Sequence, residues 1–559
     1  MTTIRNEIPR IAQPGEAVAL DIEMFGQESD KLHRPTGNFA CLSIQFDGED
    51  EVYQIYSVDQ ITPTLENLKD AEWVLHNALY DFRQLRRFTN HPTLWPTATR
   101  RVHDTMLMEK VLWGGYYSDF RLNDLARRYF DLHMEKETRE QFELATEMTE
   151  QMKQYAAYDV TVTLMARKKQ LEIASSSDLR VYYTIDMPMI WVVLDMQPVK
   201  VNVERWAQIA PEFEKRGREI EAELGVNVMS PIQVKAFLEK HRINVDSTAE
   251  EVLEEYEDRD FVAKILEARK NRTASSKYGE KWLSKFVEDG GLVYADWKIT
   301  TAETGRMSCS NPPLQGIPVR KLPLFRELFI PQNDIIYAPD VSQQEPRILG
   351  YLSQDKNLLK AFESNESIHV YVARMLYNDP TIEKGEDWRY KDGKAISLGI
   401  SYGLTPKGTA KKTGHTIEES EKLIRTYFDR FPDVENYIVQ QRTKAMRKEY
   451  VETVSGRRIW LNMHNFQWEN NAINAPIQGS AADFTKVWGA EIWRRCKSEG
   501  IPFPVTMFIH DEIVMDVKKE YFDDIQRINT EAVQEAAKLF PGIPFVFDGN
   551  YGDTWACHK

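Results

Sequence analysis

Three polar residues interrupt an apolar stretch near the C-terminus of the 559-residue sequence, at positions 504–517. β-Branched and apolar residues on both sides predict a buried hairpin with His510, Asp511 and Glu512 at its turn. Carboxylates held between hydrophobic strands are costly unless their charge is compensated, and a bound cation is the usual compensation. Taken alone, the three residues are also typical of an ordinary polar turn.

A second stretch, 335–353, supplies an acid in a similar setting. A hydrophobic strand ends at Asp340, a polar turn follows, and an apolar-periodic helix begins. If this strand neighbours the hairpin, Asp340 and Asp511 can share a pair of divalent cations. Two metals about 3.5–4 Å apart stabilise the attacking and leaving oxygens of an in-line phosphoryl displacement. The two stretches together predict a phosphoryl-transfer site.

Both stretches resemble motifs of the family A DNA polymerases, the bacterial DNA polymerase I class. Residues 340–347 read D-V-S-Q-Q-E-P-R and resemble motif A, D-Y-S-Q-I-E-L-R, and residues 510–512 resemble motif C, H-D-E. The resemblance implies that Asp340 and Asp511 bind two Mg²⁺ ions, for which Mn²⁺ can substitute. It also implies that Glu512 is a third catalytic acid.

Composition limits the class of protein. Hydrophobic residues make up 42% of the chain, enough for three or four domains with their own cores. No apolar run approaches the roughly 20 residues needed to cross a bilayer, and the N-terminus lacks a signal pattern. We therefore expect a cytoplasmic protein with no membrane partner. The four scattered cysteines fit a reducing compartment better than a disulfide or zinc framework.

The net charge of −15 argues, at first sight, against a nucleic-acid partner. Whole-chain charge says little, however, when basic residues cluster and metal-binding acids gather elsewhere. Basic clusters occur at 269–285 and 456–458, although an ordinary solvated surface is the alternative explanation for each.

Acidic residues near the N-terminus stand at two element ends. A strand at 16–23 ends in Asp21 and Glu23, which lie on one face because strand residues two apart point the same way. A strand-to-helix junction at 76–85 places Asp81 near the start of a helix.

A helical pattern further along places Tyr155 and Asp159 one turn apart. Singly, each of these residues is typical of a protein surface. In this order they resemble the DEDD-type 3′→5′ exonucleases over about residues 10–175. The resemblance implies that four acids hold two metal ions at the 3′ end of single-stranded DNA and that Tyr155 orients the attacking water. The four acids are Asp21, Glu23, Asp81 and Asp159.

Two further residues of this segment take different roles. Asp104 lies in V-H-D-T-M-L, which resembles the family's F-D-T-M-L segment, and we expect it to be structural rather than a metal ligand. Asn77 is expected to contact the DNA strand in the exonuclease site.

Residues from about 185 to 290 are mostly helical in pattern. Ser230 and Ser247 begin helix-capping patterns, S-P-I-Q and S-T-A-E-E, which resemble segments of the family's thumb. The resemblance implies that the basic run 269–285, Lys277 included, contacts duplex phosphates without reading the base sequence.

Segments that resemble primer- and template-binding motifs follow. T-A-E-T-G-R-M-S at 301–308 implies that Arg306 contacts the minor-groove edge of the primer. N-A-P-I-Q-G-S-A-A-D at 474–483 implies that Asn474 and Gln478 contact template and primer.

Three positions depart from these motifs. Pro313 and Gly316 replace the family's asparagines, and Asn470 replaces an arginine, which predicts altered or weaker template contacts there. Arg347 and His510 complete the expected set of DNA-binding residues.

Lys394, Leu398 and Tyr402 are spaced four apart and share one helical stripe. An amphipathic helix with a lysine at its edge is the alternative. The stretch 389–403 resembles the family's motif B, which implies that Lys394 contacts the nucleotide phosphates and protonates the pyrophosphate leaving group. It also implies that Tyr402 packs beside Glu345 and that the two exclude a ribose 2′-hydroxyl.

The family arginine four residues before this lysine is Tyr390 here. At 100° per residue, Lys391 lies about 60° from Lys394 around the helix, and Arg389 lies about 140° away. We therefore predict that Lys391 contacts the triphosphate, with Arg389 as the alternative and His369 assisting.

Two more residues belong to the expected nucleotide site. Gln343 lies in motif A beside the nucleotide. Leu398 stands where most relatives carry phenylalanine or tyrosine, a substitution that resembles a subset of phage polymerases.

The expected fold is α/β and multidomain: a ribonuclease H-like exonuclease domain and a right-hand polymerase with an antiparallel-sheet palm and helical fingers and thumb. The expected boundaries are 1–175 for the exonuclease domain, 176–290 for the thumb and linking helices, 291–360 and 476–559 for the palm, and 361–475 for the fingers.

The expected function is template-directed addition of dNTPs to primer-template DNA with 3′→5′ proofreading. Leu398, compact size and the absence of a 5′ nuclease stretch favour phage replication. A stand-alone nuclease would leave Asp340, Asp511 and Lys394 without a purpose, and a non-catalytic polymerase relic would have lost a metal-binding acid. Replisome partners are not identifiable from the sequence.

Overall fold

The structure, a computed structural model, describes residues 2–26, 36–94, 102–134, 136–318, 322–363 and 366–557. None of the helices within these ranges combines the length and the apolar character that a membrane-spanning segment requires.

A six-stranded mixed sheet forms the core of the N-terminal domain. Its strands are β1 (Thr3–Arg5), β2 (Ala17–Phe25), β3 (Asn38–Phe46), β4 (Glu51–Ile55), β5 (Glu72–Leu75) and β6 (Val102–Asp104). They follow the order β1-β4-β3-β2-β5-β6, with β2 antiparallel to β3 and parallel to β5. β2 is nearly all apolar, as expected for a strand with both faces covered.

Six helices accompany this sheet: α1 (Ile61–Asn67), α2 (Ala78–Phe88), α3 (Thr105–Trp113), α4 (Leu122–Phe130), α5 (Lys136–Leu144) and α6 (Glu150–Ile173). The Thr149 side chain accepts a hydrogen bond from the Met152 amide and begins α6. α6 packs against β2, so residues of one helix face reach the central strand.

Helical segments then lead to the thumb: α7 (Ser176–Val181), a π-helical turn (Tyr182–Asp186), α8 (Pro188–Asp195), α9 (Val203–Leu224), α10 (Pro231–Lys240), α11 (Glu250–Leu253), α12 (Asp260–Tyr278) and α13 (Glu280–Phe286). α9 packs along α12, and their tips share a small hydrophobic core with α10 and α11. This core is separate from the main one.

The predicted caps of the thumb helices are partly confirmed. Ser230 accepts a hydrogen bond from the Gln233 amide at the start of α10. The reciprocal bond of a capping box is absent because the Gln233 amide oxygen accepts from the Asn227 backbone. At α11 the first residue outside the helix is Ala249, and Ser247 accepts from the Ala249 amide instead.

Short strands connect thumb and palm: β7 (Val199–Val201), β8 (Val287–Glu288), β9 (Leu292–Val293), β10 (Asp296–Lys298), β11 (Ser308–Ser310) and β12 (Phe329–Ile330). They form one four-stranded sheet, β12-β7-β9-β8, and the β10-β11 hairpin. The palm then begins with α14 (Leu324–Glu327), β13 (Ile335–Val341), α15 (Gln344–Ser353) and α16 (Lys356–Ala361).

The fingers are helical, as predicted, and consist of α17 (Ile368–Tyr377), α18 (Trp388–Gly399), α19 (Pro406–Thr413), α20 (Ile417–Arg430) and α21 (Pro432–Lys448). A hairpin of β14 (Tyr450–Glu452) and β15 (Arg458–Trp460) follows them.

The palm is completed by α22 (Trp468–Glu499), β16 (Val505–Ile509), β17 (Glu512–Val517), α23 (Phe522–Ala537) and β18 (Phe547–Gly552). Its sheet has the order β16-β17-β13-β18 and is antiparallel throughout. The predicted hairpin is confirmed, and so is the predicted adjacency of the two acid-bearing strands.

One expected domain boundary falls inside a continuous helix, and one expected domain range is divided between two parts of the structure. α22 runs unbroken through the expected palm boundary at 475/476 and accommodates Pro476 within the helix. α8 and the π-helical turn pack against α22, so the first part of the expected thumb range 176–290 lies on the palm.

Candidate active sites

The first candidate site lies where β13 runs between β17 and β18. Asp340 is the register partner of Glu512 on one side and of Asp548 on the other. The Val341 amide donates to the Asp511 carbonyl, 3.0 Å away, so Asp511 lies directly beside the end of β13. The structure thereby brings Asp340 and Asp511 together.

The hairpin turn presents Asp511 in an apolar setting. His510 adopts a left-handed backbone, φ 58°, which turns the chain between β16 and β17, and its side chain is exposed. Burial raises the pKa of Asp511, and the negative charges of Glu512 and Glu345 raise it further. A carboxylate whose charge is disfavoured by its surroundings gains most from a cation, so Asp340 and Asp511 fit a metal site.

Glu512 has a different environment from the one expected for a catalytic acid. Its carboxylate accepts hydrogen bonds from the indole N–H of Trp555 and from Arg326 at 3.3 Å. Arg326 is 3% exposed and lies over the Trp555 ring, with the guanidinium carbon 3.9 Å from the ring centroid. The expected catalytic role of Glu512 stays a prediction; in the structure its carboxylate is a buried partner of Arg326 and Trp555 at the start of β17.

A chain of polar contacts crosses the palm beside these acids. Arg306 donates to Glu345 at 2.7 Å, the Tyr402 hydroxyl donates to the other Glu345 oxygen at 3.1 Å, and Gln478 donates to the Tyr402 hydroxyl at 3.3 Å. The expected packing of Tyr402 beside Glu345 is therefore found. Hydrogen bonds thus connect four side chains from four separate segments, and they link the fingers to α15 and α22.

Lys394 and Leu398 lie on α18, and Tyr402 ends the 3-10 turn that continues it. Lys394 and Leu398 are half-buried, whereas Tyr402 is 45% exposed. Asn470 lies against the next residue: a Cβ on Gly403 would be 2.1 Å from its amide oxygen. The small glycine allows α22 to approach the end of this stripe closely.

The two candidates for the triphosphate role differ in their partners. Arg389 donates to Asp379 at 2.6 Å and to both oxygens of Asp387. Lys391 pairs only with Glu386 among the contacts of the described residues, at 2.6 Å, and both groups are exposed. An exposed pair of this kind is weak, so Lys391 is the more available cation.

Two expected nucleotide-site residues organise the start of α17. The Gln343 amide oxygen accepts from the Ile368 backbone N–H at 2.6 Å. His369 shares a 2.6 Å hydrogen bond between its Nδ1 and the Ser397 hydroxyl on α18. Burial and the nearby charge of Lys394 lower the pKa of His369 to about 4, so its imidazole is neutral near pH 7.

The expected DNA-binding residues divide into two groups. Lys277 is exposed on α12, whereas the Asn474 amide oxygen is buried without a hydrogen-bond donor among the described residues, so the expected contact of Asn474 with DNA stays a prediction. Arg347 is 4% exposed and donates to the carbonyls of Ser342 and Pro544, at 3.1 and 2.6 Å. The expected contact of Arg347 with DNA is therefore wrong, since its guanidinium holds the palm together.

The basic run 269–285, which lies on α12 and α13, is divided in the same way. Arg269 donates to the carbonyls of Val228 and Thr248, and Arg272 pairs with Glu214. These two arginines tie the thumb helices to one another, so the expected phosphate contacts of the run are confined to its exposed lysines. Those lysines are Lys270, Lys277, Lys281 and Lys285.

The second candidate site lies on β2 of the N-terminal domain. One oxygen from each of Asp21, Glu23 and Asp159 lies within 4.8 Å of the others. Asp81, on the first turn of α2, accepts from the Ile22 amide at 3.1 Å and so reaches the same strand. The four acids that the sequence predicted to form one site therefore lie near one another at β2.

The electrostatics of this site favour a cation. Burial raises the pKa of Asp81 well above its ordinary value, and the charge of Asp21 raises it further. Like charges this close are stable as anions only when a cation is shared between them. Tyr155 lies one turn before Asp159 on α6 and packs beside Phe142.

Asp104 is structural, as expected, and the expected contact of Asn77 with DNA stays a prediction. The Asp104 carboxylate accepts from the amides of Met106 and Leu107 and from those of Asn77 and Ala78, so it is structural. Asn77 precedes α2 with a left-handed backbone, φ 70°.

Sequence reasoning missed Arg326 and Trp555, whose contacts hold Glu512. The available signal was an arginine inside the apolar run L-F-R-E-L-F, because such an arginine is rarely buried without an acidic partner.

Comparison with known proteins agrees with this geometry. The family model for DNA polymerase family A matches residues 200–557, and the model for a 3′-5′ exonuclease matches residues 6–172. The chain is 31% identical over 433 residues to DNA polymerase I of Lactococcus lactis subsp. lactis, covering 72% of this chain and 49% of the relative. It is 29% identical over 540 residues to DNA polymerase I of Pseudomonas aeruginosa, covering 89% of this chain and 57% of the relative.

The chain thus spans about half the length of the curated relatives it matches. A solved structure of the POL domain of Pol1 from M. smegmatis, in complex with DNA primer-template and dNTP, has the same fold, with a TM-score of 0.82 and 23% identity over 98% of this chain and 100% of that chain. The expected α/β fold with exonuclease and polymerase domains is confirmed. The chain belongs to DNA polymerase family A and carries a 3′-5′ exonuclease domain.

Proposed function

We propose that this chain extends a DNA primer with dNTPs on a template and removes nucleotides from the primer's 3′ end. The observation that carries the proposal is the presence of two separate carboxylate sites in one chain. Asp340 and Asp511 lie side by side on the palm, and Asp21, Glu23, Asp81 and Asp159 gather on β2.

In the polymerase site, Asp340 and Asp511 would hold two Mg²⁺ ions, or Mn²⁺ in their place. Such a pair of ions supplies charge stabilisation at the attacking and leaving oxygens. Lys394 would contact the nucleotide phosphates and donate a proton to the departing pyrophosphate. Lys391 and the neutral His369 would assist in binding the phosphates.

Selection of the sugar follows from the chain of polar contacts across the palm. Glu345 and Tyr402 are hydrogen-bonded to each other, so their side chains occupy fixed positions beside the stripe that holds Lys394 and Leu398. A ribose 2′-hydroxyl meeting this pair would be excluded by its bulk. Arg306 and Gln478 end the same chain of contacts and would meet the primer and template.

In the exonuclease site, the four acids would hold two metal ions at the terminal phosphodiester of a single strand. Such ions lower the pKa of a bound water and stabilise the leaving 3′-oxygen. Tyr155 would orient the attacking water, and Asn77 would contact the strand.

A part in DNA replication follows from this activity. The more specific assignment to a phage rests on Leu398, compact size and the absence of a 5′ nuclease stretch, and the bacterial relatives do not support it.

The test is extension of a 5′-labelled primer on a longer template with Mg²⁺, with and without dNTPs. Asp511→Ala is expected to abolish extension, by about 10³-fold or more, and to leave shortening of single-stranded DNA unchanged. Asp21→Ala is expected to do the reverse. Shortening without extension by the unaltered protein under every nucleotide condition would reduce the function to that of a nuclease.

A further inference from the structure

The loop 301–306, between β10 and β11, lies close to both the polymerase site and the exonuclease domain. Arg306 at its end donates to Glu345 in the polymerase site at 2.7 Å. In the middle of the loop, the Glu303 carbonyl oxygen would be 3.6 Å from a Cβ on Gly114, a residue of the exonuclease domain. The loop therefore lies close to Gly114 of the exonuclease domain and also carries the residue expected to contact the primer.

Arg457 also contacts the loop 301–306, at Gly305. Its guanidinium atoms would lie 2.8–3.0 Å from a Cβ on Gly305, so the two are in close contact. Four hydrogen bonds of 2.7–2.9 Å hold Arg457 between the buried carboxylates of Asp186 and Asp483. Because Arg457 is fixed, the loop is held between it and the exonuclease domain.

The hairpin that carries Arg457 also contacts the exonuclease domain directly. The Trp460 indole N–H donates to the Leu112 carbonyl at 2.9 Å, and its backbone N–H donates to the Gly114 carbonyl at 3.0 Å. Its ring stacks on Trp113, with centroids 5.5 Å apart. Gly115 has φ 90°, and a Cβ there would be 2.2 Å from the Trp460 carbonyl oxygen, so only glycine fits.

We propose that this interdomain joint, defined as Gly114, Gly115, Trp460 and the loop 301–306, sets how the primer end is divided between extension and excision. Gly115 and Trp460 are positioning residues that act through Arg306. The inference rests on the proposed function. When the joint is forced apart, Arg306 loses its position, the primer leaves the polymerase site more often, and a larger share of ends reaches the exonuclease site.

The experiment measures the ratio of excision to extension on a matched primer-template, and separately the excision of single-stranded DNA. Gly115→Ala forces the joint apart from the exonuclease side. Gly48→Ala is the matched control, because Gly48 has φ 85° in the same domain and a Cβ there meets nothing within 4 Å. Trp460→Phe keeps an aromatic ring and removes the indole N–H, which tests the joint from the polymerase side with little risk to folding.

Gly115→Ala is expected to raise the ratio about tenfold, and Trp460→Phe about threefold, with excision of single strands within about twofold of the unaltered protein. Gly48→Ala is expected to leave the ratio unchanged. In an Arg306→Ala background, which raises the ratio by itself, neither substitution is expected to raise it further.

A ratio unchanged in the folded Trp460→Phe protein overturns the proposal, as does the same increase with and without Arg306. A parallel loss of single-strand excision also overturns it, since the joint would then merely hold the exonuclease domain together. Failure of the unaltered protein to extend primers at all refutes the proposed function instead, so the two failures are distinguishable.

Discussion

The two carboxylate sites balance their charge in different ways. In the exonuclease domain, oxygens of three acids lie within 4.8 Å of one another, and Asp81 reaches the same strand. On the palm, the acids that flank Asp340 and Asp511 are each held by an arginine, Glu345 by Arg306 and Glu512 by Arg326. The exonuclease site concentrates negative charge around one strand. In the polymerase site, arginines of the protein neutralise the neighbouring acids.

This difference determines what each site requires from its surroundings. The exonuclease acids come from β2, α2 and α6 of a single domain, so the site is complete within that domain. The polymerase site depends on residues of the palm, the fingers and the β10–β11 loop. Loss of an acid should therefore relieve repulsion in the first site and should leave a buried cation unpaired in the second.

Glu512→Ala tests the second half of this comparison and has the largest expected effect. Arg326 would keep its charge in a nearly fully buried position, which costs about 3–5 kcal/mol when the partner is removed. We expect the free energy of unfolding of the polymerase part to fall by that amount, so that its unfolding transition moves to lower denaturant concentration. We expect primer extension to fall as well. Denaturant unfolding followed by tryptophan fluorescence measures the change.

Trp555→Phe is the milder companion of this variant, since it removes one hydrogen bond to Glu512 and leaves every charge in place. Its expected cost is about 1–2 kcal/mol. Unaltered stability of both variants would mean that Glu512 is not held by these contacts and would favour its expected role as a catalytic acid.

Asp81→Asn tests the first half of the comparison. The pKa of Asp81 is raised in the folded protein, so its ionisation opposes folding: the cost is absent below the ordinary carboxyl pKa and grows as pH rises through the raised value. Asparagine retains an oxygen for the Ile22 amide and removes the charge. In EDTA at pH 8, we expect the variant to be more stable than the unaltered protein, and the gain to shrink towards pH 4.

Thermal unfolding across pH, with EDTA and then with Mg²⁺, measures both effects. Mg²⁺ should stabilise the unaltered protein more than the variant, because the variant lacks one of the binding acids. A variant less stable than the unaltered protein in EDTA would show that the acids are not in mutual repulsion.

Lys391→Ala sharpens the comparison within the polymerase site and has the smallest expected effect. Lys391 has only an exposed acidic partner among the described contacts, whereas Arg389 is bonded to two aspartates. We expect Lys391→Ala to raise the KM for dNTPs roughly threefold to tenfold, with kcat nearly unchanged. Arg389→Ala should change the KM less than about twofold; steady-state kinetics showing the opposite order would reverse the assignment.

Local pattern predicted the parts of these sites that depend on short stretches of chain. The hairpin at 505–517, the strand that ends near Asp340 and the pair on α6 all follow from apolar periodicity and turn residues. The contact between Tyr402 and Glu345 came from motif resemblance, since the two residues are 57 positions apart.

Charge patterns in the sequence predicted the wrong location for arginines whose long side chains turn into the interior of the protein. Arg347 and Arg269 read as surface cations, yet both donate to backbone carbonyls inside the molecule. Arg326 and Glu512 meet across 186 positions, and no local pattern links them. A basic residue within an apolar run indicates a buried partner, but which acid it meets is decided by the tertiary fold.

The order of strands in the chain has a consequence for synthesis. β18 pairs with β13 along its whole length and comes last of all the strands, so the Asp340 strand obtains its second neighbour only when nearly the whole chain has been made. The exonuclease sheet is complete once β6 has been made. The strands of the exonuclease sheet therefore leave the ribosome long before β18, the last strand of the palm sheet.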